Sequence, residues 1–152
     1  MLRSWLDKLL ASARSAEQDR PGDREQALRT ATALLLVDVA RADQVFDELE
    51  MQRVIELMAK RFKLSDDDAA RLVKSADSQA DELVSLHETT QLLHRNLGED
   101  EKADIVRLLW EVAYADGQLD KYEDSLILKI SDLLYVSRGR VMGLKFEASR
   151  NA

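Results

Sequence analysis

The chain has 152 residues, of which 45% are hydrophobic and 34% charged, and this balance at this length is that of one globular domain rather than of a disordered chain. With 22 lysines and arginines against 29 aspartates and glutamates, the formal net charge is −7, which has the wrong sign for a domain that binds the phosphates of nucleic acid. We therefore expect no nucleic acid among its partners.

The residue types that are scarce or absent further limit the fold class and the cellular compartment. One proline and five glycines leave few turns for a multi-stranded sheet, and the absence of cysteine excludes disulfides and favours a reducing compartment. The N-terminal stretch MLRSWLDKLL carries Arg3, Asp7 and Lys8, so it lacks the apolar run of a signal peptide. No stretch has the roughly eighteen apolar residues of a membrane span. We predict a soluble, cytoplasmic protein, with peripheral contact at the inner face of the membrane as the alternative.

The first two predicted helices differ in character. Residues 1–20 have the apolar spacing of an amphipathic helix, which we predict to be an appendage that ends at Pro21 and Gly22. A second helix is predicted from about Arg24 to about Ala42, and its stretch ALLLVDVA is apolar nearly all round, which predicts a place at the centre of the core. The apolar positions of the first segment are Leu2, Trp5, Leu6, Leu9, Leu10 and Ala13.

Six more helices are predicted along the rest of the chain. Their expected starts or ranges are Asp47, Ser65, Asp81 to Asn96, 99–115, Asp120 to Tyr135, and Ser137. The apolar residues of the helix that begins at Asp47 are Leu49, Val54, Leu57, Met58 and Phe62. Since no stretch has the alternation of a strand, the sequence predicts an all-α protein, a single compact domain of about seven or eight helices over residues 24–149.

An internal repeat organises these helices. Residues 33–50 and 106–123 match at a shift of 73 positions, and eight of the eighteen residues are identical. In each copy an apolar helix leads into a short acidic turn and then into a helix that starts with D-x-x-E, and a helix with a serine cap follows. We predict two repeat halves, about 33–74 and 106–148, related by internal pseudo-two-fold duplication.

Two acids of each turn have a sufficient structural explanation. Asp47 with Glu50, and Asp120 with Glu123, have the spacing of a capping box, in which the first side chain accepts a hydrogen bond from a free backbone N–H of the helix. Carboxylates in the first turn also face the positive end of the helix dipole, which stabilises each by about 0.3–1 kcal/mol. Capping on a solvated acidic surface is therefore one interpretation of these turns.

The remaining acids, Asp43 and Asp116, lie four residues before each cap, at the end of a helix where the dipole disfavours an anion. A tight turn at Gly117 would bring Asp116 close to Asp120 and Glu123, and a hard cation such as Ca²⁺ or Mg²⁺ would relieve their repulsion. The spacing is not that of an EF-hand loop. A divalent-cation site is the second interpretation.

The duplicated motif, ARADQVFDELE and AYADGQLDKYE, resembles the TerB family of tellurite-resistance proteins, whose relatives include DnaJ-like co-chaperones with a TerB-like domain. The resemblance covers about residues 25–148. It implies an all-helical fold with internal pseudo-symmetry, a role in resistance to tellurite and other stresses, and no established enzymatic activity. It also implies metal binding through an acidic cluster, although Gln44 departs from the family glycine. Carried onto this chain, that cluster is Asp43, Asp47, Glu50, Asp116, Asp120 and Glu123.

No other motif indicates catalysis. His87 and His94 lie seven residues apart on one helix without a third ligand of the usual kind, and the scattered glycines form no phosphate-binding loop. The serines fit helix caps and helix positions rather than an exposed nucleophile. We expect a protein that is not an enzyme, and the cation-site interpretation implies a divalent cation, Ca²⁺ or Mg²⁺, as its cofactor.

The two ends of the chain indicate a contact surface. The last helix carries four cations, Arg138, Arg140, Lys145 and Arg150. Together with the apolar face of the first segment, they fit contact with an anionic membrane or with a protein partner. The sequence thus leaves two functions open: a stress-response binding or scaffold module with cation-binding turns, and a protein-interaction or membrane-surface adaptor whose acids act only as helix caps.

Overall fold

The computed structural model describes residues 21–42, 47–80, 86–115 and 119–151. Within these ranges the chain forms seven α-helices and no strand, which confirms the all-α prediction. The amphipathic helix predicted over residues 1–20 lies outside the described residues and stays a prediction. The helices are α1 (Pro21–Ala40), α2 (Glu48–Phe62), α3 (Asp66–Ala80), α4 (Leu86–Asn96), α5 (Glu99–Ala113), α6 (Lys121–Leu133) and α7 (Arg138–Arg150).

Helix α1 is the centre of the fold, as its apolar surface predicts. It packs against α2, α3, α4, α5 and α6, and Ala31, Leu35 and Val39 are completely buried. The helix begins at Pro21, three residues before its predicted start at about Arg24. Proline is tolerated in the first helical position, where its missing N–H has no partner in the helix.

Helix α5 is the second buried helix, and it holds α7 through Trp110. The Trp110 side chain is completely buried, and its indole Nε1–H donates a hydrogen bond to the Val141 carbonyl oxygen at 3.2 Å. The bond satisfies the one polar atom of a large buried side chain and so fixes the position of α7 on the core.

Helix α2 buries most of its apolar residues but exposes the first of them. Val54, Leu57 and Met58 are buried. Leu49, the second residue of the helix, is 72% exposed. Helical spacing alone does not show where a packed face ends.

The two predicted halves share local features at equivalent positions. Lys63 and Tyr135 both have left-handed backbone conformations, with φ of 56° and 60°. Two residues later, Ser65 accepts from the N–H of Asp68 at 3.1 Å, and Ser137 caps α7 in the same way. The order of helices α1, α2 and α3 is thus repeated by α5, α6 and α7. The pseudo-two-fold arrangement of the halves stays a prediction.

No helix in the described part of the chain is long and apolar enough to cross a membrane.

Replacing Lys63 by glycine tests the left-handed corner between α2 and α3. A side chain in this conformation costs about 1 kcal/mol, so Lys63→Gly should raise the free energy of unfolding by about 0.5–1 kcal/mol in urea titrations. The control is Lys60→Gly on exposed α2 surface, which should lower it by about 1 kcal/mol. Equal losses in both variants would show that the corner is not strained.

Candidate functional site

The first acidic turn places Asp47 at the N-cap of α2. Its Oδ1 accepts a hydrogen bond from the backbone N–H of Glu50 at 2.8 Å, which confirms the predicted cap. Asp47 is exposed, whereas Glu50 is half-buried. The cap satisfies one of the free N–H groups at the start of the helix and gives Asp47 a structural role.

The second acidic turn repeats the cap with a different bond. Asp120 Oδ1 accepts from the backbone N–H of Tyr122 at 3.0 Å, two residues along rather than three. Glu123, in the same first turn of α6, is only 6% exposed. This turn therefore places a carboxyl group deeper in the protein than the first turn does, at a helix end whose dipole favours a carboxylate.

The other two predicted ligands, Asp43 and Asp116, lie outside the described residues. Among the residues that the structure describes, no three histidine, aspartate or glutamate side chains lie close enough together to hold a metal ion. The structure therefore brings Asp47 to the start of α2 and Asp120 and Glu123 to the start of α6. The six-residue cation cluster stays a prediction.

Each acidic turn also presents an exposed apolar side chain that the sequence reasoning missed. Leu49 is 72% exposed and Tyr122 is 57% exposed, each two residues after its cap. The shift of 73 positions that aligns the repeats also aligns these two residues, so the repeat was the signal that could have found them. Each turn thus combines carboxylates with an apolar contact.

Asp38 is a further acid that the sequence reasoning did not single out. It lies in the last two turns of α1, and burial raises its pKa from 3.8 to about 6, while the Arg41 charge lowers it in part. Arg41 also donates a hydrogen bond to Asp77 on α3 at 2.6 Å, so its positive charge acts on two carboxyl groups, those of Asp38 and Asp77. The repeat counterpart, Glu111, instead accepts a hydrogen bond from Arg107 Nη1 at 2.6 Å.

The histidines do not form a metal or catalytic site in the described structure. His87 is exposed, whereas His94 is half-buried with its Nδ1 3.0 Å from Lys102 Nζ. Lys102 is only 2% exposed and also pairs with Glu99 at 3.0 Å. His94 therefore contributes an acceptor to a buried ammonium group, which is a structural role.

The basic patch predicted on α7 is largely neutralised by acids of the same chain. Three of its cations form ion pairs between 2.7 and 3.0 Å: Arg138 with Asp132, Arg140 with Asp100, and Lys145 with Asp124. Helix α7 also exposes two apolar side chains: Met142 is 43% exposed and Phe146 is 62% exposed. Val141 and Ala148, on the opposite face of the helix, are buried. This surface, Met142 with Phe146, is called the α7 face below.

Removing the Asp38 charge tests the cost of burying it. Because its pKa is higher in the folded protein than in the unfolded chain, the folded state holds the proton longer, and stability falls as pH rises from about 4 to about 6. Asp38→Asn should therefore be more stable than the parent at pH 8, by up to about 3 kcal/mol, and equally stable near pH 3, in urea titrations.

The matched control is Glu147→Gln, an exposed carboxylate on α7, which should change stability at pH 8 by less than about 0.5 kcal/mol. A constant difference between Asp38→Asn and the parent at every pH would contradict the buried-charge explanation.

Comparison with known proteins identifies the family of this chain. The family model described as tellurite resistance protein TerB matches residues 29–145, a range that includes both acidic turns and reaches from α1 into α7. Searches of curated proteins and of solved structures gave no match. Because the family match covers well over half of the 152 residues, this chain belongs to the TerB family of tellurite resistance proteins.

Proposed function

We propose that this chain is a non-catalytic binding or scaffold module of a tellurite-resistance-related stress response, and that its duplicated acidic turns bind a divalent cation. The observation that carries the proposal is the family match over residues 29–145, which spans both turns.

The donor chemistry of the turns suits a hard cation. Each cap bond engages only Oδ1 of Asp47 or Asp120, and a carboxylate has a second oxygen that can accept or ligate. Calcium takes six to eight oxygen ligands and magnesium six, with water supplying part of the shell. The ligands would be Asp43, Asp47 and Glu50 at the first turn, and Asp116, Asp120 and Glu123 at the second.

A non-catalytic role agrees with the chemistry of the described side chains. Asp38 has a raised pKa of about 6, but its surroundings are the core and Arg41 rather than a cleft. His94 is engaged with the buried Lys102. Neither group is placed as a general acid or base would be placed against a substrate.

Calcium or magnesium at millimolar concentration should raise the melting temperature, because a ligand that binds only the folded state stabilises it. At ten times its Kd the gain is about 1.4 kcal/mol, or about 4 °C for a chain of this length. The double variant Asp116→Asn with Asp120→Asn should lose the rise, measured by scanning fluorimetry with and without EDTA.

The control for that experiment is Asp66→Asn with Asp67→Asn, which removes the same charge from the exposed first turn of α3. This variant should keep the full rise. No rise in the parent protein, or the same loss in both double variants, would contradict a cation site at the turns.

A second candidate function, protein-interaction adaptor, is favoured by the α7 face. Met142 and Phe146 lie four residues apart and expose neighbouring apolar surface on the side of the helix opposite Val141 and Ala148. Because three cations of α7 pair with acids of the same chain, this surface fits a protein partner better than an anionic membrane. In this alternative the acidic turns act only as caps.

Replacing Met142 and Phe146 by serine should abolish capture of the protein partner in the presence of EDTA. Because both side chains are exposed, the free energy of unfolding should change by less than about 0.5 kcal/mol each. The readout is quantitative affinity capture, with Ser149→Ala on the same helix as the control.

Retention of every captured protein by the serine variant would contradict the adaptor function. Flotation with vesicles of phosphatidylglycerol and phosphatidylcholine distinguishes a surface that binds a protein from one that binds an anionic membrane. Flotation that the serine substitutions remove would assign the α7 face to the membrane instead.

A further inference from the structure

A groove lies between α1 and α3. Its volume is about 500 Å³, which is within the range of small-molecule pockets in proteins. Leu64 and Leu72 give it apolar surface, and both are half-buried and pack against the core. The groove can therefore contact a polar group and a short apolar chain of one ligand. The polar side chains that line it are Gln26, Arg29, Thr30, Asp68, Arg71 and Ser75.

The three charged side chains of the groove do not balance. Arg71 forms an ion pair with Asp68, three residues before it on α3. Arg29 Nη2 instead donates a hydrogen bond at 2.6 Å to Gln26 Oε1, which belongs to a neutral amide. No carboxylate in the described part of the chain pairs with Arg29. The groove therefore keeps the one positive charge of Arg29.

The second half of the domain has the same pair of side chains with a countercharge. At the shift of 73 residues Gln26 corresponds to Glu99, and Arg29 corresponds to Lys102. Glu99 Oε1 and Lys102 Nζ lie 3.0 Å apart, across the same spacing of three residues. Lys102 is only 2% exposed, whereas Arg29 is half-buried and lines the groove. The first half thus keeps the contact but has an amide where the second half has a carboxylate.

The Arg29 guanidinium has donors left for a ligand. A guanidinium carries five N–H groups in a planar fork, and the bond to Gln26 uses only Nη2. Two parallel N–H groups of such a fork bind a carboxylate in bidentate geometry. Because partial burial of a cation without a countercharge is unfavourable, an anion bound at Arg29 would offset that cost.

We propose that the groove between α1 and α3 binds a small organic monocarboxylate, whose carboxylate pairs with Arg29 and whose apolar part lies on Leu64 and Leu72. The ligand supplies at Arg29 the negative charge that Glu99 supplies to Lys102. Asp68, although paired with Arg71, disfavours a ligand with more than one negative charge. The inference does not depend on cation binding at the acidic turns or on the α7 face.

Hexanoate, a short-chain monocarboxylate, tests the proposal in NMR titrations of the full ¹⁵N-labelled chain at pH 7. The backbone amide resonances of Arg29, Leu72 and Ser75 should shift with a Kd on the order of 1 mM, as a ligand of this size allows. Hexanamide, the neutral analogue, should bind at least about ten-fold more weakly, because it forms no charge-assisted hydrogen bonds with Arg29.

Variants at Arg29 and Gln26 separate the charge from the shape of the groove. Arg29→Gln should weaken hexanoate binding at least about ten-fold. Gln26→Glu, which copies the countercharge of the second half, should weaken it about five-fold, because a carboxylate beside Arg29 repels the ligand. Gln26→Ala should keep the parent affinity. Gln26 is exposed, so both of its variants should fold as the parent does.

The matched control is Arg53→Gln, which removes an exposed arginine from α2 and should bind hexanoate as the parent does. Unshifted groove resonances at millimolar hexanoate would overturn the proposal, and so would unchanged affinity in Arg29→Gln or Gln26→Glu. Equal binding of hexanamide would reduce the site to an apolar contact. Equally tight binding of inorganic phosphate would show a site for anions alone, and either result would also overturn the proposal.

Discussion

The complete burial of the middle of α1 is the constraint on which the rest of this structure depends. From Ala31 to Val37 every residue of this helix is buried, and α2, α3, α4, α5 and α6 all pack against it. Each fully buried leucine or valine contributes about 1.5–3 kcal/mol relative to exposure, so the surrounding helices are stabilised chiefly by covering α1. The same packing leaves Asp38 half-buried, and this burial raises its pKa.

Polar links then fix how the helices sit around that centre. Arg61 on α2 pairs with Asp104 on α5, and Asp104 also accepts from Arg107, which pairs in turn with Glu111. These carboxylates raise the pKa of Arg107 against the opposing effect of its burial. The network crosses between the two repeat halves, yet its residues have no charged counterparts at the repeat shift except Glu111 with Asp38. The ion pairs that join α2 to α5 are therefore not part of the repeated sequence pattern.

The aspartates of the acidic turns, Asp47 and Asp120, can cap a helix and still have a carboxylate oxygen that could bind a cation. Asp47 and Asp120 cap the helices that follow them, and each does so with a single carboxylate oxygen. The two turns have nevertheless diverged, because Glu123 is buried whereas Glu50 is half-buried and Asp47 bonds one residue further along than Asp120 does. A cation bound at the second turn would therefore lie further from the protein surface than one bound at the first turn.

The sequence by itself determined the helical class, the family, the central place of α1 and the caps Asp47, Asp120 and Ser137, because periodicity and capping are local properties of the chain. Helix α1 starts at Pro21 rather than near Arg24, because proline is compatible with the first helical position. Packing alone decides that Leu49 stays exposed in α2. Only the tertiary structure decided the pKa of Asp38, the enclosure of Lys102 by His94, the neutralised cations of α7 and the groove beside α1. Each of these depends on which residues from distant parts of the chain meet, and helical spacing within one segment carries no information about its neighbours.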